Sequence, residues 1–97
     1  MGTLEAVLVL EQNRAAIRRV VELHHARNAR VVGSVPLGQE DSDLDILVDP
    51  TPETTLFDIS AIRVELRKLL GVQVDILTPN GLPEKFRAAV IAEARPV

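Results

Sequence analysis

Apolar residues at Leu10, Ile17, Val20, Val21 and Leu23 recur at close to helical spacing, and Arg14, Arg18, Arg19 and Arg27 fill a wet face between them. The pattern predicts a helix over 4–10, with Thr3 as its N-cap and Glu5 in the first turn, where the helix dipole favours an acid. Asn13 is a second cap candidate, for helix running to about 26; one helix or two fits the spacing. Residues 29–32 are a short apolar run stopped by Gly33-Ser34, and 44–48 are another, closed by Asp49-Pro50; both read as buried strands. A Pro/Thr-rich connection over 50–55 leads to a helix over 56–70, whose Leu56, Ile59, Ile62, Leu66, Leu69 and Leu70 fall on one stripe. Gly71 stands where a glycine ends a helix. A third strand is predicted over 72–77, closed by Thr78-Pro79-Asn80-Gly81. Pro83 then opens a last helix over 84–94, as a proline at the first helical position does. The order helix, strand, strand, helix, strand, helix implies an α/β (α+β) fold, with helices covering a small mixed sheet of about three strands.

Composition narrows this picture. Ninety-seven residues make one domain, 1–97. Apolar residues are 46% of the chain, yet there are two Phe and no Tyr or Trp, so the core must be aliphatic. With no cysteine, disulfides, thiolate metal sites and thiol nucleophiles are excluded, and a reducing, cytoplasmic location is expected. No apolar run approaches the roughly 20 residues of a membrane span, and no signal-peptide pattern opens the chain, so no membrane partner is expected.

The formal charge of −3 conceals an uneven distribution. Between 31 and 62 there are seven acids and no Lys or Arg, so the remainder, with seven acids and 11 bases, carries +4. Such a split argues against a nucleic-acid-binding stripe across the middle, and no direct nucleic-acid partner is expected. Within the acidic stretch, Asp43 and Asp45 are two apart at the start of the second predicted strand, where i and i+2 share a face. Asp75 lies in the third, between Val74 and Ile76, where a carboxylate needs a partner or a cation. If those strands are neighbours, three carboxylates converge, and a divalent cation such as Mg²⁺ relieves their repulsion. The first strand ends in Gly33-Ser34, where the backbone can approach a phosphate and a hydroxyl can donate to it. His24 and His25 are adjacent, so on a helix they point about 100° apart and read as surface residues.

These residues resemble a known family. Gly33-Ser34 followed by Ser42-Asp43-Leu44-Asp45-Ile46-Leu47-Val48 is similar to the nucleotidyltransferase signature of the DNA polymerase beta superfamily. The length and element order resemble its minimal (MNT) members, the antitoxins of HEPN/MNT toxin–antitoxin modules. The resemblance implies that Gly33 and Ser34, with Ser42, hold the triphosphate of ATP. It implies also that Asp43, Asp45 and Asp75 bind two Mg²⁺, with Asp75 helping to activate the acceptor hydroxyl.

The family usually follows Gly-Ser with one residue and then Ala-Arg-Gly. Here the run is Val35-Pro36-Leu37-Gly38, so Leu37 stands where the Arg would be, and the loop before Ser42 is shortened to Gln39-Glu40-Asp41. Arg30, Arg63, Arg67 or Lys68 would have to supply the lost charge. A chain of this length is expected to have no second domain for an acceptor, which would then bring its own surface. The resemblance implies Mg-dependent transfer of AMP from ATP to a tyrosine hydroxyl of a HEPN-type ribonuclease toxin, within a hetero-oligomer, as the expected function. The competing expectation is a non-catalytic antitoxin that keeps the fold and neutralises its partner by contact. A core nearly without aromatics in so small a domain also suits a subunit of an obligate oligomer.

Overall fold

The computed structural model describes residues 4–33 and 42–97. They form α1 (Leu4–Gln12), α2 (Arg14–Leu23), β1 (Ala26–Val32), β2 (Leu44–Pro50), α3 (Leu56–Leu70), β3 (Val74–Leu77), a 3-10 turn at Pro79–Gly81, α4 (Glu84–Glu93) and β4 (Arg95–Pro96). The strands make a four-stranded sheet in the order β3-β2-β1-β4. β1 is antiparallel to β2 and β4, whereas β2 and β3 are parallel, with α3 as the crossover that a parallel pair requires.

The N-terminal helical region is two helices. Asn13 separates them at the cap position of α2, but its side-chain amide donates backwards to the Val9 carbonyl at 2.8 Å instead of capping α2. The expected cap Thr3 lies outside the described residues. α3 has the limits that its sequence predicts because both ends are chemically marked. Thr55 Oγ1 accepts from the Asp58 amide at 3.2 Å and Asp58 Oδ2 accepts from the Thr55 amide at 2.8 Å, a reciprocal capping box. At the other end Gly71 adopts φ 71° and donates to the Arg67 carbonyl at 2.9 Å.

β1 begins three residues earlier than its apolar run suggests. Between Arg27 and Arg30 it takes one residue more than β2 does between Asp49 and Leu47. The extra residue is accommodated by a bulge at Asn28, which sits at φ 55° and bonds Asp49 through its amide at 2.9 Å. β4 is a fourth strand beyond the three expected. Two residues are too few to show a period; long-range contacts define the strand instead. Val97 N–H donates to the Ala29 carbonyl at 3.0 Å, and Arg14 and Arg18 donate to the Pro96 and Val97 carbonyls at 3.0 and 2.6 Å.

Side-chain alternation divides the core in two. Ile46, Val48, Val74 and Ala29 face α1, α2 and α3, packing on Leu10, Ile17, Val21, Ile62, Leu66 and Leu70. Val32 and Leu47 face the opposite way, onto Leu82 and Val90 at α4. Of the α3 stripe, Leu56 in the first turn lies outside the core at 85% exposed, and Leu69 is 42% exposed, because both fall on the flanks of the face that meets the sheet. Pro83 occupies the cap position immediately before α4 and so precedes the first helical residue, Glu84.

Candidate active site

The parallel register pairs Asp45 of β2 with Asp75 of β3, and the antiparallel register pairs Asp45 with Val32 of β1. Paired residues of neighbouring strands share a face, so the alternation that sends Ile46 and Ile76 toward the helical core puts Asp45 and Asp75 together on the other side. That side is closed further along by Leu47, Leu82 and Val90, which pack with Val32 of β1.

Asp45 is half-buried, and burial pushes its carboxyl up from the ordinary carboxylate value. The hydrogen bond that Ser42 Oγ donates to Asp45 Oδ1 at 2.8 Å opposes the rise, and the negative charge of Asp75 adds to it. Ser42 is itself buried and so serves to orient Asp45. Asp75 Oδ1 accepts from the Ile76 amide at 3.1 Å. Asp43 lies before the ladder begins. Its amide donates to the Gln73 carbonyl at 2.8 Å and its Oδ2 accepts from the Gln73 amide at 3.0 Å, tying the entry of β2 to that of β3.

Among the described residues no three acids or histidines are gathered closely enough to hold an ion as they stand. Asp45 and Asp75 nevertheless form a hard-oxygen pair whose like charges are felt at Asp45, the donor chemistry of Mg²⁺. Asp43 joins them only by turning away from Gln73. Gly33 lies exposed beyond the end of β1, while Ser34, Leu37 and the short loop 38–41 lie outside the described residues.

Gly33, Asp43 and Asp45, but not Asp75, line a cleft of about 860 Å³ at the end of the sheet, walled by Val7 and Leu10 of α1 and by residues 92–95 at the end of α4 and start of β4. The volume is within the range of about 300–1,000 Å³ typical of small-molecule sites. None of the four cations expected to reach in lines it. Arg30 is engaged by Asp49 and by the Asn28 carbonyl, Arg67 donates to the Val74 carbonyl at 3.0 Å, and Arg63 and Lys68 lie exposed on α3. The cations at the cleft are Arg14 and Arg95. Arg14 comes to it on the first turn of α2, and Arg95 through the pairing of β4 on β1; neither gave a local signal. His24 and His25 do not form a metal pair. They meet the helix of the capping box, His24 Nε2 lying 2.7 Å from Glu65 and His25 Nδ1 3.4 Å from Asp58.

Comparison with known proteins identifies the family and its fold. The family described as "Nucleotidyltransferase domain" matches residues 14–97. The chain is 33% identical over 73 residues to a protein of Methanocaldococcus jannaschii named as a putative protein adenylyltransferase, covering 73% of this chain and 78% of that one. It is 31% identical over 94 residues to the protein adenylyltransferase MntA of Thermococcus cleftensis, covering 91% and 95%. A solved structure described as a putative minimal nucleotidyltransferase superposes with a TM-score of 0.78 at 39% identity, over 94% of this chain and 95% of that one.

Proposed function

This chain belongs to the nucleotidyltransferase family, and from that premise we propose that it is a Mg-dependent adenylyltransferase of the antitoxin type. It moves AMP from ATP to a tyrosine hydroxyl of a HEPN-type ribonuclease toxin and so neutralises it. The observation that carries the reading is the in-register pairing of Asp45 with Asp75 beside the Gly33 end of β1. Two carboxylates on one face of the sheet, one of them raised by burial and by its neighbour, make a site suited to a cation. The names of the two adenylyltransferase relatives support AMP as the group moved.

Asp45 and Asp75, with Asp43 turned inward, would hold Mg²⁺, which supplies charge neutralisation at the phosphates and lowers the pKa of a nearby hydroxyl. Ser42 fixes the Asp45 carboxylate, and Gly33 and Ser34 cradle the phosphates. In the transfer the acceptor oxygen bonds to the α-phosphorus and the bond to pyrophosphate breaks. The hydroxyl proton passes to Asp75, and pyrophosphate leaves. The protein's contribution is positioning and charge stabilisation. The chain has no tyrosine of its own, so the acceptor tyrosine belongs to a partner. Adjacent Leu56 and Phe57, each 85% exposed at the start of α3, favour a protein partner.

The test incubates the protein and a co-expressed HEPN partner with labelled ATP and Mg²⁺. Label should appear on the partner, and should be lost with EDTA or with Asp45→Asn. An unlabelled partner, or full labelling by Asp45→Asn, overturns the reading. The bond between Asp43 and Gln73 favours a second reading, a contact-only antitoxin. On that reading the partner stays unlabelled, and both the wild-type protein and Asp45→Asn neutralise it.

A further inference from the structure

α3 meets the sheet through one face and leaves the other bare. At about 100° per residue, positions 56, 57, 60, 63, 64, 67 and 68 fall within an arc of about 140°, and every one of them is exposed. Leu56 and Phe57 are each 85% exposed and Val64 is 47% exposed. The spacing 57, 60, 64, 67 alternates three and four residues, the interval at which a helix presents a seam to a second helix. Large apolar side chains on such a solvent face call for a protein surface to cover them, and the charges along the arc decide which. Glu53 precedes the arc, while Arg63, Arg67 and Lys68 occupy its far half. None of the four has an ion-pair partner among the described residues. The two acids of α3 itself, Asp58 and Glu65, lie off the arc and meet His25 and His24. The bare face is therefore acidic at one end, apolar along its first half and basic at the other end.

We propose that this face is the contact between two copies of the chain, with α3 of each crossing α3 of the other antiparallel about Ser60. Phe57 stands three residues before Ser60 and Val64 four after it, so Phe57 of one copy packs on Val64 of the other. Glu53 stands seven before and Lys68 eight after, so the same register sets Glu53 of one copy beside Lys68 of the other. A two-fold makes each contact twice. Ser60 is small, which lets the helices approach at the crossing. An antiparallel crossing joins unlike ends of the face and opposes the helix dipoles, whereas a parallel one would stack like charges. Asp45 and Asp75 lie on the side of the sheet that α3 does not cover. The pair of chains then carries its two carboxylate sites outward, each accessible to its own substrate. The inference goes beyond AMP transfer and does not depend on it.

The experiment is sedimentation velocity of the full chain over a dilution series, with circular dichroism to follow the fold. The variants are Phe57→Glu, Val64→Glu, Glu53→Lys, Lys68→Glu and the double reversal Glu53→Lys with Lys68→Glu. The wild type should sediment as a dimer that dissociates on dilution. Phe57→Glu and Val64→Glu should each raise the dissociation constant about tenfold or more, as expected for apolar anchors at the centre of a contact. Their circular dichroism should stay that of the wild type, because exposed side chains carry little of the fold. Each single charge reversal should weaken the dimer several-fold, and the double reversal should restore it. A wild type that is monomeric at every dilution overturns the proposal and leaves the face to a different protein. A dimer that survives both Phe57→Glu and Val64→Glu overturns it too, since another surface then joins the copies. A double reversal no tighter than either single one overturns the antiparallel crossing about Ser60.

Discussion

Half-burying the Asp45 carboxylate beside Asp75 sets chemistry against folding at a single residue. The folded chain holds the Asp45 proton more tightly than the unfolded chain does, because burial raises its pKa. The contribution of Asp45 to stability therefore falls as pH rises from the ordinary carboxylate range, about 4, through its raised value, and stays lower at neutral pH. Asp45→Asn keeps an acceptor for the Ser42 hydroxyl and removes the charge. In EDTA it should melt higher than the wild type at pH 7, with the difference shrinking as pH falls toward 4 in thermal scans. A lower Tm at pH 7 would contradict the electrostatic account. At this scale the sequence was legible where chemistry repeats locally. The two-residue spacing of Asp43 and Asp45, and a lone acid between Val74 and Ile76, announced the carboxylates. Arg95 could not be read that way, because nothing within ten residues of it belongs to the signature.

Two elements end in the same backbone conformation with different residues. α2 is followed by His25 at φ 67°, and α3 by Gly71 at φ 71°. The left-handed region costs a residue with a β-carbon roughly 1–2 kcal/mol and costs glycine nothing comparable. A β-carbon on Gly71 would meet no atom within 4 Å, so the backbone alone decides the effect. Gly71→Ala should cost about 1 kcal/mol, lowering Tm by about 4–8 °C in a domain of this size. His25→Gly should show no comparable loss, since it relieves the same conformation and gives up only the long 3.4 Å contact with Asp58. A Gly71→Ala variant that melts with the wild type would refute the assignment. The limits of α3 were readable because Thr55, Asp58 and Gly71 mark them by side-chain chemistry. The start of β1 was hidden by the bulge at Asn28, where Arg27 and Asn28 interrupt an apolar run that the ladder continues through.

Across the whole molecule the site is assembled from three strands that are far apart in the sequence. The fold class followed from the order of elements, and the convergence of Asp45 with Asp75 followed once those strands proved to be neighbours. The edge strand β4 and the cleft cation Arg95 that it carries were not legible, since the strand depends on contacts between the two ends of the chain. Asp43 shows a further limit of reading by spacing: it has the right offset from Asp45, but its Oδ2 is held by Gln73. The parallel pairing of β2 and β3 also sets how this gene tolerates insertions. A single alanine inserted between Val74 and Asp75 reverses every later side chain of β3, placing a carboxylate among the residues that meet Ile46 and an isoleucine in register with Leu47 on the other face. The same alanine inserted after Gly71 falls in the connection and leaves the alternation intact. An insertion scan read by soluble yield should therefore show a sharp boundary at Val74. Length variation among working copies of this protein should accumulate on the connection side of that boundary and stop at the strand.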